Sequence, residues 1–65
     1  MPIVHANILS GRSQAQKAAF AKAITEAAQA HLNVPATAVR VLINEVDPDH
    51  WFTAGQAKSA PASAP

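Results

Sequence analysis

From Ser13 to Leu32 the chain runs without a single glycine or proline, through a segment rich in Ala, Gln, Lys and Glu. That stretch constrains the fold more than any other feature. Ser13-Gln14-Ala15-Gln16 has the pattern of a capping box, with Ser13 at the N-cap and Gln16 at N3. Asn33 suits the left-handed residue that closes a helix, and Pro35 prevents its continuation. The segment is therefore predicted to be one helix of some nineteen residues, roughly 28 Å long at 1.5 Å rise per residue. Phe20, Ala23, Ile24, Ala27, Ala28 and His31 fall on one stripe at three- and four-residue spacing, the expected packing face. Lys22 and Glu26 form an i,i+4 pair away from it. His31 lies in the last turn, where the helix dipole favours a cation.

Both flanks of this helix read as strands. In residues 2–9, Ile3, His5, Asn7 and Leu9 share one face, and Val4, Ala6 and Ile8 the other. Residues 38–46 are strongly β-forming and predict a second strand. A long helical connection between two strands implies a β-α-β unit with parallel pairing. Asp47-Pro48-Asp49 is a turn signal, and the two acids there read as solvated. His50 to Thr53 suggests a short extended piece or hairpin ended by Ala54-Gly55, and residues 57–65 form an Ala/Ser/Pro tail with little to bury. The expectation is a single α+β domain over residues 1–56, followed by a flexible tail.

Such a unit is poorly equipped to stand alone. Of the 32 apolar residues, 16 are alanine. Burying a Val, Leu or Ile gains about 1.5–3 kcal/mol, whereas ordering each residue costs roughly 1–2 kcal/mol. Small domains in this position recruit disulfides, metals or partner subunits. Cysteine is absent, and His5, His31 and His50 lack metal-ligand spacing, so no metal is expected and association of copies is. A net charge of +1 argues against nucleic-acid binding. No apolar run approaches the ~20 residues of a membrane span, and Met1-Pro2-Ile3-Val4-His5 does not resemble a secretory signal. A soluble, cytoplasmic protein is expected.

The usual catalytic patterns are missing: Ser10 and Ser13 lack a nucleophile-elbow context, and there is no glycine-rich phosphate loop. His5 on the first strand reads as structural rather than catalytic. Two arginines stand out instead. Arg40 is flanked by Val39, Val41, Leu42 and Ile43, in what reads as the middle of a strand seeking burial, where a guanidinium needs a carboxylate partner or an anionic ligand. Arg12 precedes the helix N-terminus, a position that welcomes anions. Pro2 is the third candidate. After removal of Met1 it carries a free secondary amine, whose pKa falls with burial and with nearby cations until it can act as a general base. A strand of about 25 Å and a helix of about 28 Å return the chain so that Arg40 lies at the Pro2 end of the sheet. Arg12 lies at the far end, so an Arg12 acting with Pro2 comes from another subunit.

Met1-Pro2-Ile3, Ile8-Leu9-Ser10-Gly11-Arg12-Ser13, Gln16-Lys17, Pro35 and Val39-Arg40-Val41-Leu42-Ile43-Asn44-Glu45 together resemble the 4-oxalocrotonate tautomerase family over residues 2–55. The resemblance implies a β-α-β protomer assembled as a homohexamer, a trimer of dimers. It implies a cofactor-free isomerase of aromatic hydrocarbon catabolism whose substrate is a small carboxylate. By the same resemblance Pro2 is the general base, moving a proton between a dienol hydroxyl and a carbon of the conjugated chain. Arg40 matches the residue that binds one carboxylate and polarises the adjacent 2-oxo group, and Arg12 the one that holds the distal carboxylate. Leu9 and Trp51 match pocket-lining positions. Trp51-Phe52 departs from a Phe-Gly pair, and Ala54 stands where a second hairpin glycine is usual, which bears on substrate choice. Two other readings are a hydratase or dehalogenase of haloacrylate-like acids, which needs a further water-activating residue, and a non-enzymatic oligomeric binding module.

Overall fold

The computed structural model describes residues 1–59. Its architecture is the expected β-α-β unit with a terminal hairpin: β1 (Ile3–Leu9), α1 (Gln14–Leu32), β2 (Arg40–Val46), β3 (Phe52–Thr53) and β4 (Gln56–Ala57). β1 and β2 pair in parallel, in register from Ile3 opposite Arg40 to Leu9 opposite Val46. Ser10 N–H continues the ladder to the Val46 carbonyl at 2.9 Å.

The capping box forms in full. Ser13 Oγ accepts from Gln16 N–H at 3.1 Å, and Gln16 Oε1 accepts from Ser13 N–H at 2.9 Å. Asn33 closes the helix at φ 54°, ψ 51°. The packing face is rotated from the predicted stripe. Ile24 and Ala28 turn inward as expected, but Phe20, Ala23, Ala27 and His31 are exposed. Their place is taken by Lys17, Ala21 and Thr25. Lys17 reaches across to an ion pair with Glu45 of β2, and Thr25 Oγ1 donates to the Ala21 carbonyl at 2.9 Å, so polar side chains find partners on the inner line. That is the only ion pair among the described residues; Lys22 and Glu26 both stay in solvent.

β2 starts at Arg40, two residues later than predicted, because Ala36–Ala38 form a 3-10 turn. Another 3-10 turn, Pro48–His50, follows β2, with the Asp47 carboxylate accepting from Asp49 N–H at 2.9 Å. The hairpin turns at Ala54 (φ 53°) and Gly55 (φ 79°), the paired left-handed residues of a type I′ turn. The boundary expected after residue 56 falls inside this hairpin. Ala57 pairs with Phe52, Lys58 N–H donates to the Trp51 carbonyl at 2.7 Å, and Ser59 donates to the Asp49 carboxylate. The rest of the expected tail lies outside the described residues.

Ala28 (8% exposed) and Val39 (9%) are the only buried apolar residues described. α1 covers the sheet face bearing Val4, Ala6, Ile8, Val41 and Ile43, all half-buried. The opposite face presents Ile3, His5, Asn7, Arg40, Leu42 and Asn44 to solvent. Parallel sheets are ordinarily covered on both faces, and two strands are marginal alone.

Candidate active site

Pro2 is half-buried immediately before β1, and its carbonyl accepts the backbone N–H of Arg40 at 3.0 Å. Parallel register therefore brings these two candidates together at one end of the sheet, within a single chain. Met1 beyond them is 76% exposed.

Arg40 differs from its expected setting. It is the exposed first residue of β2 rather than a buried mid-strand one, and no carboxylate pairs with it. Its Nη1 donates to the Thr37 carbonyl at 2.7 Å and lies 3.4 Å from the Val39 carbonyl. Thr37 lies in the Ala36–Ala38 turn and Val39 directly follows it, whereas the expected strand begins at Ala38. The turn holds the guanidinium with neutral oxygens, so its charge stays uncompensated among the described residues.

Arg12 and Leu9 sit at the opposite end of β1, roughly 20 Å from Pro2 at ~3.3 Å per strand residue. Arg12 is exposed and also has no carboxylate partner among the described residues. It lines a cleft of about 270 Å³ with Ile8, Gln16, Lys17 and Phe20. Leu9 is half-buried opposite Val46. Trp51 is half-buried too, directly after the Pro48–His50 turn and hence beyond the C-terminal end of β2, which is also the Leu9 end. One chain thus unites Pro2 with Arg40 and separates both from Leu9, Arg12 and Trp51. Among the described residues no three His, Asp or Glu side chains converge as a metal site, and no helix is long and apolar enough to cross a membrane.

What this arrangement can do is hold an anion beside the chain's second residue. Comparison with known proteins shows the family. The family model described as Tautomerase enzyme matches residues 2–60. A probable tautomerase of Ralstonia nicotianae is 42% identical over 65 residues, covering 100% of this chain and 93% of that relative. A 2-hydroxymuconate tautomerase of Pseudomonas putida is 39% identical, over 91% of this chain and 94% of its own length. The crystallised heterohexameric 4-oxalocrotonate tautomerase of Chloroflexus aurantiacus superposes with a TM-score of 0.86 at 41% identity, covering 91% of this chain and 95% of that one. A family match over nearly the whole chain, shared with relatives of its own length, makes this protein a member of the tautomerase family, and an isomerase.

Proposed function

We propose that this chain is a cofactor-independent tautomerase of a small unsaturated 2-hydroxy or 2-oxo acid or diacid, such as 2-hydroxymuconate, with the amine of Pro2 as its general base. The amine lone pair takes the proton of the 2-hydroxyl. The O–H electrons form the carbonyl, the diene shifts along the chain, and a distal carbon recovers the proton from the prolinium. No atom is lost, and the base ends as it began. Arg40 binds the near carboxylate and draws charge toward the forming 2-oxo group. Arg12 binds the distal carboxylate, and Leu9 and Trp51 supply apolar walls that favour the neutral amine.

The observation that carries this reading is the 3.0 Å bond between Arg40 N–H and the Pro2 carbonyl, which brings to the Pro2 end of the sheet an arginine with no carboxylate partner among the described residues. Because Arg12, Leu9 and Trp51 lie at the other sheet end, the reading requires a site completed by neighbouring copies. We take the assembly to be a homohexamer, a trimer of dimers, working in the cytoplasm on products of aromatic catabolism. Among the described residues only Ala28 and Val39 are buried and one sheet face is open, which supports association. A chain shown by mass to begin at Pro2 should tautomerise 2-hydroxymuconate, and the same chain carrying one extra N-terminal residue should not; equal turnover would overturn the assignment.

A further inference from the structure

The residues between helix and second strand do more than connect them. Pro35 sits at φ −73°, inside the range its ring enforces, and caps the 3-10 turn. Its carbonyl accepts Ala38 N–H at 3.0 Å, and the Ala36 carbonyl accepts Val39 N–H at 3.1 Å. The Thr37 carbonyl receives instead Nη1 of Arg40 at 2.7 Å. Val39, one of the two buried apolar residues among those described, follows the turn and packs into the protomer. Arg40 follows with its backbone tied to Pro2.

From this chain of contacts we infer that Pro35 is a positioning residue for carboxylate recognition, acting through the Ala36–Ala38 turn to hold the Arg40 guanidinium in place for a substrate carboxylate. The inference rests on the role proposed for Arg40 above. A long arginine side chain is otherwise free to sample many rotamers, and ordering it at the moment of binding weakens affinity. A proline-locked turn removes part of that freedom before substrate arrives. With Nη1 engaged by the turn, the remaining guanidinium N–H groups are left for a carboxylate.

The test is a double-mutant cycle on the assembled protein. Pro35→Gly should lower kcat/KM for a 2-hydroxydienoate by about threefold to tenfold and weaken a simple dicarboxylate competitive inhibitor by a similar factor. Pro35→Ala, which frees the backbone less, should fall between Gly and the parent and guards against a glycine variant that fails to fold. In the Arg40→Ala background, either change at position 35 should have little further effect, because the group being positioned is gone. A Pro35 variant whose loss adds in full to that of Arg40→Ala would show a general structural role and overturn the inference. So would unchanged kinetics in Pro35→Gly while Arg40→Ala remains impaired, which leaves the proposed function standing. An Arg40→Ala variant with parental activity would remove both.

Discussion

The two ends of the β1–β2 sheet are built in different ways. At the Pro2 end, one chain places its candidate groups with backbone: Arg40 N–H on the Pro2 carbonyl, and Arg40 Nη1 on the Thr37 carbonyl of a proline-capped turn. At the Leu9 end, Arg12 stands exposed before the helix, and Trp51 follows a 3-10 turn leading into a two-residue-strand hairpin. The first end is positioned internally, whereas the second offers long side chains toward something outside the protomer. On the proposed function, they are halves of one site that meet only when the finished end of one copy faces the outstretched end of another. The sparse core fits that proposal in energetic terms, since only two apolar residues are buried among those described, and neighbours would remove the remaining surface from water.

The sharpest way to break this comparison is to disable the finished end. A residue retained before Pro2 turns its amine into an amide with no basic lone pair. General acid–base groups contribute typically ~10²–10⁴-fold, so turnover should fall at least that far. The oligomer should persist, because Met1 is exposed and packs little. Native mass and a tautomerase assay on one mass-verified sample read both outcomes.

Next in size are the arginines, which should separate by substrate. A hydrogen bond to a charged group is worth about 1.5–3 kcal/mol, so each lost contact should cost roughly 10- to 100-fold. Arg40→Ala should impair monoacids and diacids alike, because it acts at the reacting end. Arg12→Ala should impair diacids more than monoacids. Equal, negligible effects on both substrate types would contradict the division between ends.

Trp51→Ala should have a smaller effect, read in pH rather than in maximal rate. Only the neutral amine can take a proton, so activity rises as pH passes the amine pKa. Losing the indole lets water stabilise the prolinium, which raises that pKa. The rising limb should therefore move to higher pH, with activity falling below it and converging above. A limb that stays in place in a folded variant would exclude Trp51 as a wall.

Much of this geometry was legible in the residues, and the exceptions have physical causes. Period-two alternation gave β1, and Ser13, Gln16, Asn33 and Pro35 bracketed α1 to within a residue. Counting strand and helix lengths was enough to set Arg40 beside Pro2. The inward face of α1 is not readable in the sequence, because an alanine-rich helix has little periodic contrast and the ion pair that joins it to β2, Lys17 with Glu45, is polar. The start of β2 was missed for another reason. Pro35 ends the helix in the sequence pattern, but a proline also caps a turn, and Arg40 satisfies a carbonyl that no hydropathy pattern marks.

The smallest expected effect lies in the hairpin. Ala54 holds φ 53°, a region where an L side chain is penalised by about 1–2 kcal/mol, partly offset by the greater chain entropy of glycine. Ala54→Gly should leave the site intact and raise the thermal midpoint by a few degrees, roughly 0.5 kcal/mol of net gain. A lowered midpoint would mean that the Ala54 methyl makes a stabilising contact outweighing its strain.

Complementation between two disabled chains addresses most directly whether the halves come from different copies. One chain carries an extra residue before Pro2 and keeps Arg12; the other has a free Pro2 but carries Arg12→Ala. Each is nearly inactive on a diacid alone. Refolded together at equal amounts, random mixing should rebuild about a quarter of the sites, those pairing the free Pro2 of the second chain with Arg12 of the first. Diacid turnover should then rise well above the sum of the separate proteins. Turnover no greater than that sum, in a sample whose native mass shows mixed oligomers, would contradict a site shared between copies.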